Sequence, residues 1–198
     1  MASELELKMV VADVAALRVA LERAGATRTF RGMMHDQRLD RGGKLAGLDQ
    51  VLRLRTWAPE TGSSRSELTW KGPSTVTVTG YKQREELQCG AADSSAALAI
   101  FTALGYVVTH AIDRFVEVWQ HADASARLEW YPRMDLLLEI EGTPGGIERL
   151  IAATGLDRAS CLPDALAEFA ARYAARTRQR AVWAEAELAG VAPGWCDA

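Results

Sequence analysis

The sequence predicts an α+β fold: a closed, eight-stranded antiparallel β-barrel shaped as a tunnel, with helices packed outside and a C-terminal helical extension. Three observations carry that expectation. About eight segments alternate polar and apolar residues with period two, the signature of strands. Only two helical patterns interrupt them, in the order one strand, helix, four strands, helix, three strands, which is not the β-α-β alternation of a parallel sheet. Charged residues also recur at every second position of several strands, two of them reading E-x-E, and a tunnel filled by solvent and ligand tolerates such an interior.

The elements follow in order. Residues 3–11 (SELELKMVV) form the first strand. Residues 12–25 place Val14, Leu17, Leu21 and Ala24 at helical spacing, with Asp13 as N-cap and Gly25 as stop. Strands are expected near 33–40, at 51–57 (VLRLRTW) and at 66–72, with a Pro/Gly/Ser-rich loop from Ala58 to Ser66 between the last two. Residues 76–88 read as one long strand with a bulge at Gly80. A second helix spans 93–105, capped by Asp93 or Ser94, and strands follow at 106–120, 125–131 and 135–142. Beyond Gly142 the chain turns Ala/Arg/Glu-rich, with helices expected at 146–155 and 163–188. Residues 1–190 make one domain, its β-rich body at 3–142 and its C-terminal helices at 146–188, and 191–198 are a tail.

Composition narrows the function classes. A length of 198 residues with 48% hydrophobic content suffices for one buried core. A net charge of -3 and the absence of a basic stripe argue against nucleic acid as a partner. A local cluster of cations still suits a small anion. Cys89, Cys161 and Cys196 have no metal-site spacing and fit a reducing, cytoplasmic setting better than a disulfide framework. No apolar run has the roughly 18–20 residues of a membrane span, so no membrane partner is expected.

Strand parity groups the charges. Glu4, Glu6 and Lys8 share one face, as do Arg53 with Arg55, Arg84 with Glu86 and Gln88, and Glu139 with Glu141. Any one such strand looks like the solvated side of a half-buried sheet. The set has more meaning: paired carboxylates repel and call for a cation, and all-oxygen ligation suits Mg2+ or Mn2+. Arg and Lys on other strands would balance an anion, Arg by bidentate contact with phosphate.

These residues resemble the motifs of the CYTH superfamily, the triphosphate tunnel metalloenzymes. E-x-E-x-K stands at Glu4, Glu6 and Lys8. DQRLD (36–40) is similar to D-x-Y-F-D, VLRLR to A-L-R-x-R, LTWKGP to T-x-K-G-P, Arg84 and Glu86 to R-x-E, Arg114 to the Arg of K-x-R, and LEWYPRMDLLLEIEG to the stretch around the second E-x-E. The resemblance covers about residues 3–142. It implies metal ligation of Mg2+ or Mn2+ by Glu4, Glu6, Glu86, Glu129, Glu139 and Glu141. It implies phosphate binding by Lys8, Arg53, Arg55, Lys71, Arg84 and Arg114, with Glu4, Glu6 and Lys8 nearest to catalysis. The implied activity is hydrolysis of an inorganic, thiamine or nucleoside triphosphate, with cyclisation of ATP or non-catalytic binding as alternatives. A homodimer is a further possibility.

The pattern departs at five places. Ile112 replaces the lysine of K-x-R, Glu129 an aspartate, Gln88 a glutamate, Arg38 an aromatic and Asp135 a glycine. Arg38 would restore the lost charge if it points inward. His35, His110 and His121 lack a nucleophile partner, and GTPGG (142–146) lacks the G-K-[ST] ending of a phosphate loop. Trp57, Trp70, Trp119 and Trp130 are expected between barrel and helices, one at a tunnel mouth being able to meet a base. Arg172, Arg176, Arg178 and Arg180 are expected on a solvated helix face.

Overall fold

A computed structural model of the chain describes residues 2–195, with side chains from residue 5 onward; the side chain of Glu4 and all of Cys196 lie outside the described residues. The strands are β1 (Ala2–Val10), β2 (Thr27–Asp40), β3 (Val51–Pro59), β4 (Arg65–Lys71), β5 (Thr75–Val76), β6 (Lys82–Gly90), β7 (Val107–His121), β8 (Ala124–Trp130) and β9 (Leu137–Gly142). The helices are α1 (Val14–Arg23), α2 (Ser94–Ala103), α3 (Pro144–Thr154) and α4 (Leu166–Thr177).

Eight strands hydrogen-bond in the antiparallel order β1-β9-β8-β7-β2-β3-β4-β6, and β6 pairs back onto β1 through Glu6↔Lys82 and Glu4↔Arg84. That last ladder closes the barrel and removes its edges. The two-residue β5 is an extra strand on β6, pairing Thr75↔Gln83 and Val76↔Lys82.

Local chemistry sets the helix ends. The Asp13 carboxylate accepts from the Ala16 N–H at 2.9 Å, and the Asp93 carboxylate does the same for Ala96. Thr143 caps α3 at Gly146, and Pro144 takes the first helical turn, where no amide donor is needed.

The hydrophobic core lies outside the barrel wall. Odd-numbered residues of β1 and β7 and even-numbered residues of β8 and β9 point outward: Leu7, Phe115, Trp119, Leu128, Trp130, Leu138 and Ile140. They pack with Leu17 and Leu21 of α1 and Ile147, Leu150 and Ile151 of α3. Each such side chain contributes about 1.5–3 kcal/mol on burial. Trp119 and Trp130 therefore sit between barrel and helices, as expected. Their wall also holds Glu117, fully buried and bonded by Arg18, Arg28 and Arg31.

Four expectations change. The second strand starts six residues before 33, because its N-terminal half pairs along β7 from Thr27↔Gln120 onward. The stretch 76–88 is not one bulged strand but β5, a turn and β6. The turn closes through Thr77 N–H to Tyr81 O and Gly80 N–H to Thr77 O, with Gly80 at φ +79°. Helix 163–188 is broken: α4 stops where Arg178 adopts φ +60°, and residues 179–184 run irregularly across the barrel. Trp57 points inward. Among the described residues, no helix is long and apolar enough to cross a membrane.

Candidate functional site

Alternation along each strand sends one set of side chains inward, and that set is charged. A cavity of about 1170 Å3 fills the barrel. It is lined by Glu6 and Lys8 of β1, Asp36 and Arg38 of β2, Arg53 and Arg55 of β3, and Glu67 and Lys71 of β4. Lys82, Arg84 and Glu86 of β6, Arg114 of β7, Arg127 and Glu129 of β8, and Glu139 and Glu141 of β9, with Arg65 of β4 and Asp49 from the loop between β2 and β3, complete the charged lining. Every site residue expected from the sequence whose side chain is described is therefore in one cavity. The backbone of Glu4 lies on β1 opposite Arg84.

Ion pairs tie the lining into three knots. Asp36 accepts both forks of Arg55, at 2.6 and 2.8 Å, and also bonds Arg114, with Arg53 at 3.8 Å. Burial alone would raise the Asp36 pKa, but Arg55, Arg114 and Arg53 hold it well below the usual carboxylate range. Next to it, Glu129 takes hydrogen bonds from Arg114 at 3.0 Å, Arg127 at 2.7 Å and the Tyr131 hydroxyl at 2.5 Å. Glu139 bonds Arg127 and, at 2.5 Å, Lys8. Burial works against both carboxylates, yet the neighbouring cations lower the two pKa values. The third knot joins Glu6 to Lys82 at 2.6 Å and to Lys8 at 2.9 Å.

Sequence reading did not assign Asp36, Glu67, Lys82, Arg127 or Tyr131 to the site. The same parity rule places Lys82 two residues before Arg84 and Arg127 two before Glu129, so the signal for them was present. Of the assigned residues, Arg84 faces the cavity but donates to Gly72 O at 2.7 Å and Asp49 Oδ1 at 3.2 Å, bracing two loops at one mouth. Lys71 pairs with Glu86 at 3.0 Å.

The lining carries more positive charge than the acids neutralise. Among its described residues are ten basic side chains against eight acidic ones, within a chain of net charge -3. The Nε–H groups of Arg38, Arg53 and Arg114 are buried and find no acceptor among the described residues. Arg53 touches Thr69 at 3.3 Å and stands 3.8 Å from both Asp36 and Glu86. Burial first, and then the charge of Arg55, push the Arg53 pKa down; burial does the same to Arg38. Unpaired guanidinium donors in a polar cavity are what an incoming anion satisfies.

The departures have local consequences. Ile112 is buried with Tyr131, Leu137, Leu166 and Phe169, so α4 seats an apolar plug beside it. Arg38 lines the cavity, as the replacement of charge required. Gln88 donates to Glu67 at 2.9 Å. Asp135 pairs with Arg176 of α4, and Arg172 and Arg180 form exposed pairs with Asp164 and Glu187.

For a metal, the chemistry of the donors fits and their number is short. Glu6 and Glu141 are cross-strand partners and Glu139 lies two residues away, so three hard oxygen donors share one wall. Among the described residues, however, no three acidic, histidine or cysteine side chains approach closely enough to hold an ion alone. A cation there needs the Glu4 carboxylate or ligand oxygens to complete its shell.

No family model matches the chain, and no curated protein matches its sequence. Solved structures do match. A protein of Pyrococcus horikoshii OT3 is 20% identical with a TM-score of 0.67, over 84% of this chain and 98% of its own. A Vibrio parahaemolyticus protein described as a candidate adenylate cyclase is 17% identical with a TM-score of 0.71, over 84% and 96%. A Hippeastrum protein described as a candidate adenylyl cyclase with a dominant triphosphatase activity is 14% identical with a TM-score of 0.62, over 90% and 97%. These neighbours share the fold of this chain, a closed antiparallel barrel with helices outside, which agrees with the resemblance of its ordered motifs to those of the CYTH superfamily.

Proposed function

We propose that this protein is a divalent-metal-dependent enzyme that hydrolyses the terminal phosphate of a triphosphate held inside the barrel. The observation that carries the reading is the surplus of buried guanidinium donors, at Arg38, Arg53 and Arg114, facing a cavity already rich in acids. A polyphosphate supplies the missing acceptors and, with Mg2+ or Mn2+, the missing charge balance.

Binding would rearrange the knots in a defined way. Lys8 and Lys82 hold Glu6. Phosphate oxygens compete for both ammonium groups and free the Glu6 carboxylate. Glu6, Glu139 and Glu141, with Glu4, would then hold the metal, which supplies Lewis-acid polarisation of the phosphoryl oxygens. Lys8, Arg53, Arg55, Lys71 and Arg114 would fix the phosphate chain and neutralise charge that develops on the leaving phosphate. A released Glu6 carboxylate would take the proton of the attacking water, a role the motif also offers to Glu4.

Incubation with ATP, thiamine triphosphate and tripolyphosphate, with Mg2+ and Mn2+ in parallel and full product analysis, tests this. The expected result is metal-dependent release of phosphate that falls at least about a hundredfold in Glu139→Gln, in line with loss of one transition-state contact. Cyclic AMP as the main product would make the enzyme a cyclase, and binding without turnover would make it a receptor for polyphosphate.

A further inference from the structure

The two mouths of the tunnel differ chemically. One mouth carries Arg38, Arg53, Lys71, Lys82 and Arg84, at the end where β2 stops and β3 starts. The other lies where β3 ends, and charge thins out there. Phe30, Trp57 and Val118 face the cavity beside Gln88 and Gln120, which are exposed at the rim. Trp57 is 7% exposed, yet its indole Nε1–H finds no acceptor among the described residues. A buried donor left open costs stability unless a ligand completes it.

The faces of that indole are not free for stacking, because the Arg55 and Arg65 guanidinium carbons lie 5.2 and 4.9 Å from its centre. Its edge is the recognition element. Phe30 meets the indole edge to face at 5.0 Å and, with Val118, supplies an apolar wall. Gln120 commits its amide nitrogen to the Ala122 and Ala124 carbonyls, at 2.8 and 3.0 Å, which leaves its oxygen as an acceptor. Both guanidinium groups there are already paired, Arg55 with Asp36 and Arg65 with Glu67, and the rest of the lining is apolar surface with one donor and one acceptor. It suits a planar heteroaromatic ring better than a phosphate.

We infer that this mouth receives the organic ring of the substrate, with a ring nitrogen accepting from Trp57 Nε1, so the preferred substrate is a heteroaryl triphosphate rather than inorganic triphosphate. The inference rests on the triphosphate reading and gives the chain a direction in the tunnel. Trp57 and Arg53 are four residues apart on β3, about 13 Å along the strand. The phosphates occupy that interval and point toward Arg53.

The test compares kcat/KM for ATP, thiamine triphosphate and tripolyphosphate, with Mg2+, in the wild type and in Trp57→Phe. That variant keeps an aromatic ring and removes the N–H, and its thermal midpoint is checked alongside. The expected result is at least tenfold preference for an organic triphosphate in the wild type. Trp57→Phe should cut that substrate about fivefold, the worth of one hydrogen bond, with tripolyphosphate changed less than twofold. Equal losses on all substrates, or a wild type that prefers tripolyphosphate, would overturn it. If nothing is turned over, the triphosphatase reading fails while the ring site is still decided: calorimetric affinities for ATP and tripolyphosphate must then show the same selective loss.

Discussion

Asp36 shows how one side chain can organise a site it does not itself perform. Its carboxylate, 3% exposed, holds Arg55 and Arg114 in place from one point. Replacing it by asparagine keeps the volume and removes the charge, leaving buried cations without their anion. Asp36→Asn should lower unfolding stability by about 3 kcal/mol, read as a lower urea midpoint, and tripolyphosphate should restore part of the loss. An unchanged midpoint would mean that solvent already screens the knot. The pH response has a fixed sign. Asp36, Glu129 and Glu139 have pKa values lowered in the fold, so their stabilisation is complete above the ordinary carboxylate range. It drains away as pH falls through the lowered values. The slope of stability against pH below about 4 should therefore be shallower in Asp36→Asn. Of these residues, strand parity marked Glu139, and the family resemblance marked Glu129. It marked Asp36 only as part of a motif, because an isolated Asp in DQRLD gives no sign of the three arginines that converge on it from β3 and β7.

Among the elements, strands were easier to read than their interruptions. VLRLRTW alternates without fault and forms β3 as expected, because each residue has one role on one face. The 76–88 stretch alternates as well, but Thr77 to Tyr81 satisfy their backbone groups within a turn, which period-two patterning does not register. Helix 163–188 had continuous helix-forming composition, and tertiary contacts ended it: Val182 pairs with Arg133, and Trp183 O accepts from the Asp113 amide at 2.7 Å. Gly32 is a further element-scale determinant. Its φ is +153°, and a Cβ there would meet Ala58 O at 2.3 Å and Pro59 Cα at 2.7 Å, both backbone. Gly32→Ala should cost about 2–4 kcal/mol by forcing β2 from the end of β3, next to Trp57. The readout is the thermal midpoint; a shift smaller than about 2 °C would show that the hairpin end yields easily.

At the scale of the molecule, the barrel inverts the usual placement of charge. Apolar residues of the wall face outward beneath α1 and α3, and the interior is left to ions except at the mouth where Phe30, Trp57 and Val118 cluster. The sequence shows both faces of each strand but not which one the closed sheet encloses. That choice follows from the helices, whose apolar sides can cover only the outside. Arg53 condenses the consequence into one position: its charge is disfavoured by burial and by Arg55, and an anion would favour it. The most direct measurement is therefore calorimetric titration of ATP, with Mg2+, into the wild type and Arg53→Met, with the thermal midpoints of both ligand-free proteins. The account predicts an Arg53→Met midpoint equal to or above that of the wild type, together with ATP binding weakened at least about tenfold. Unchanged ATP affinity in Arg53→Met, or no binding by the wild type, would contradict it.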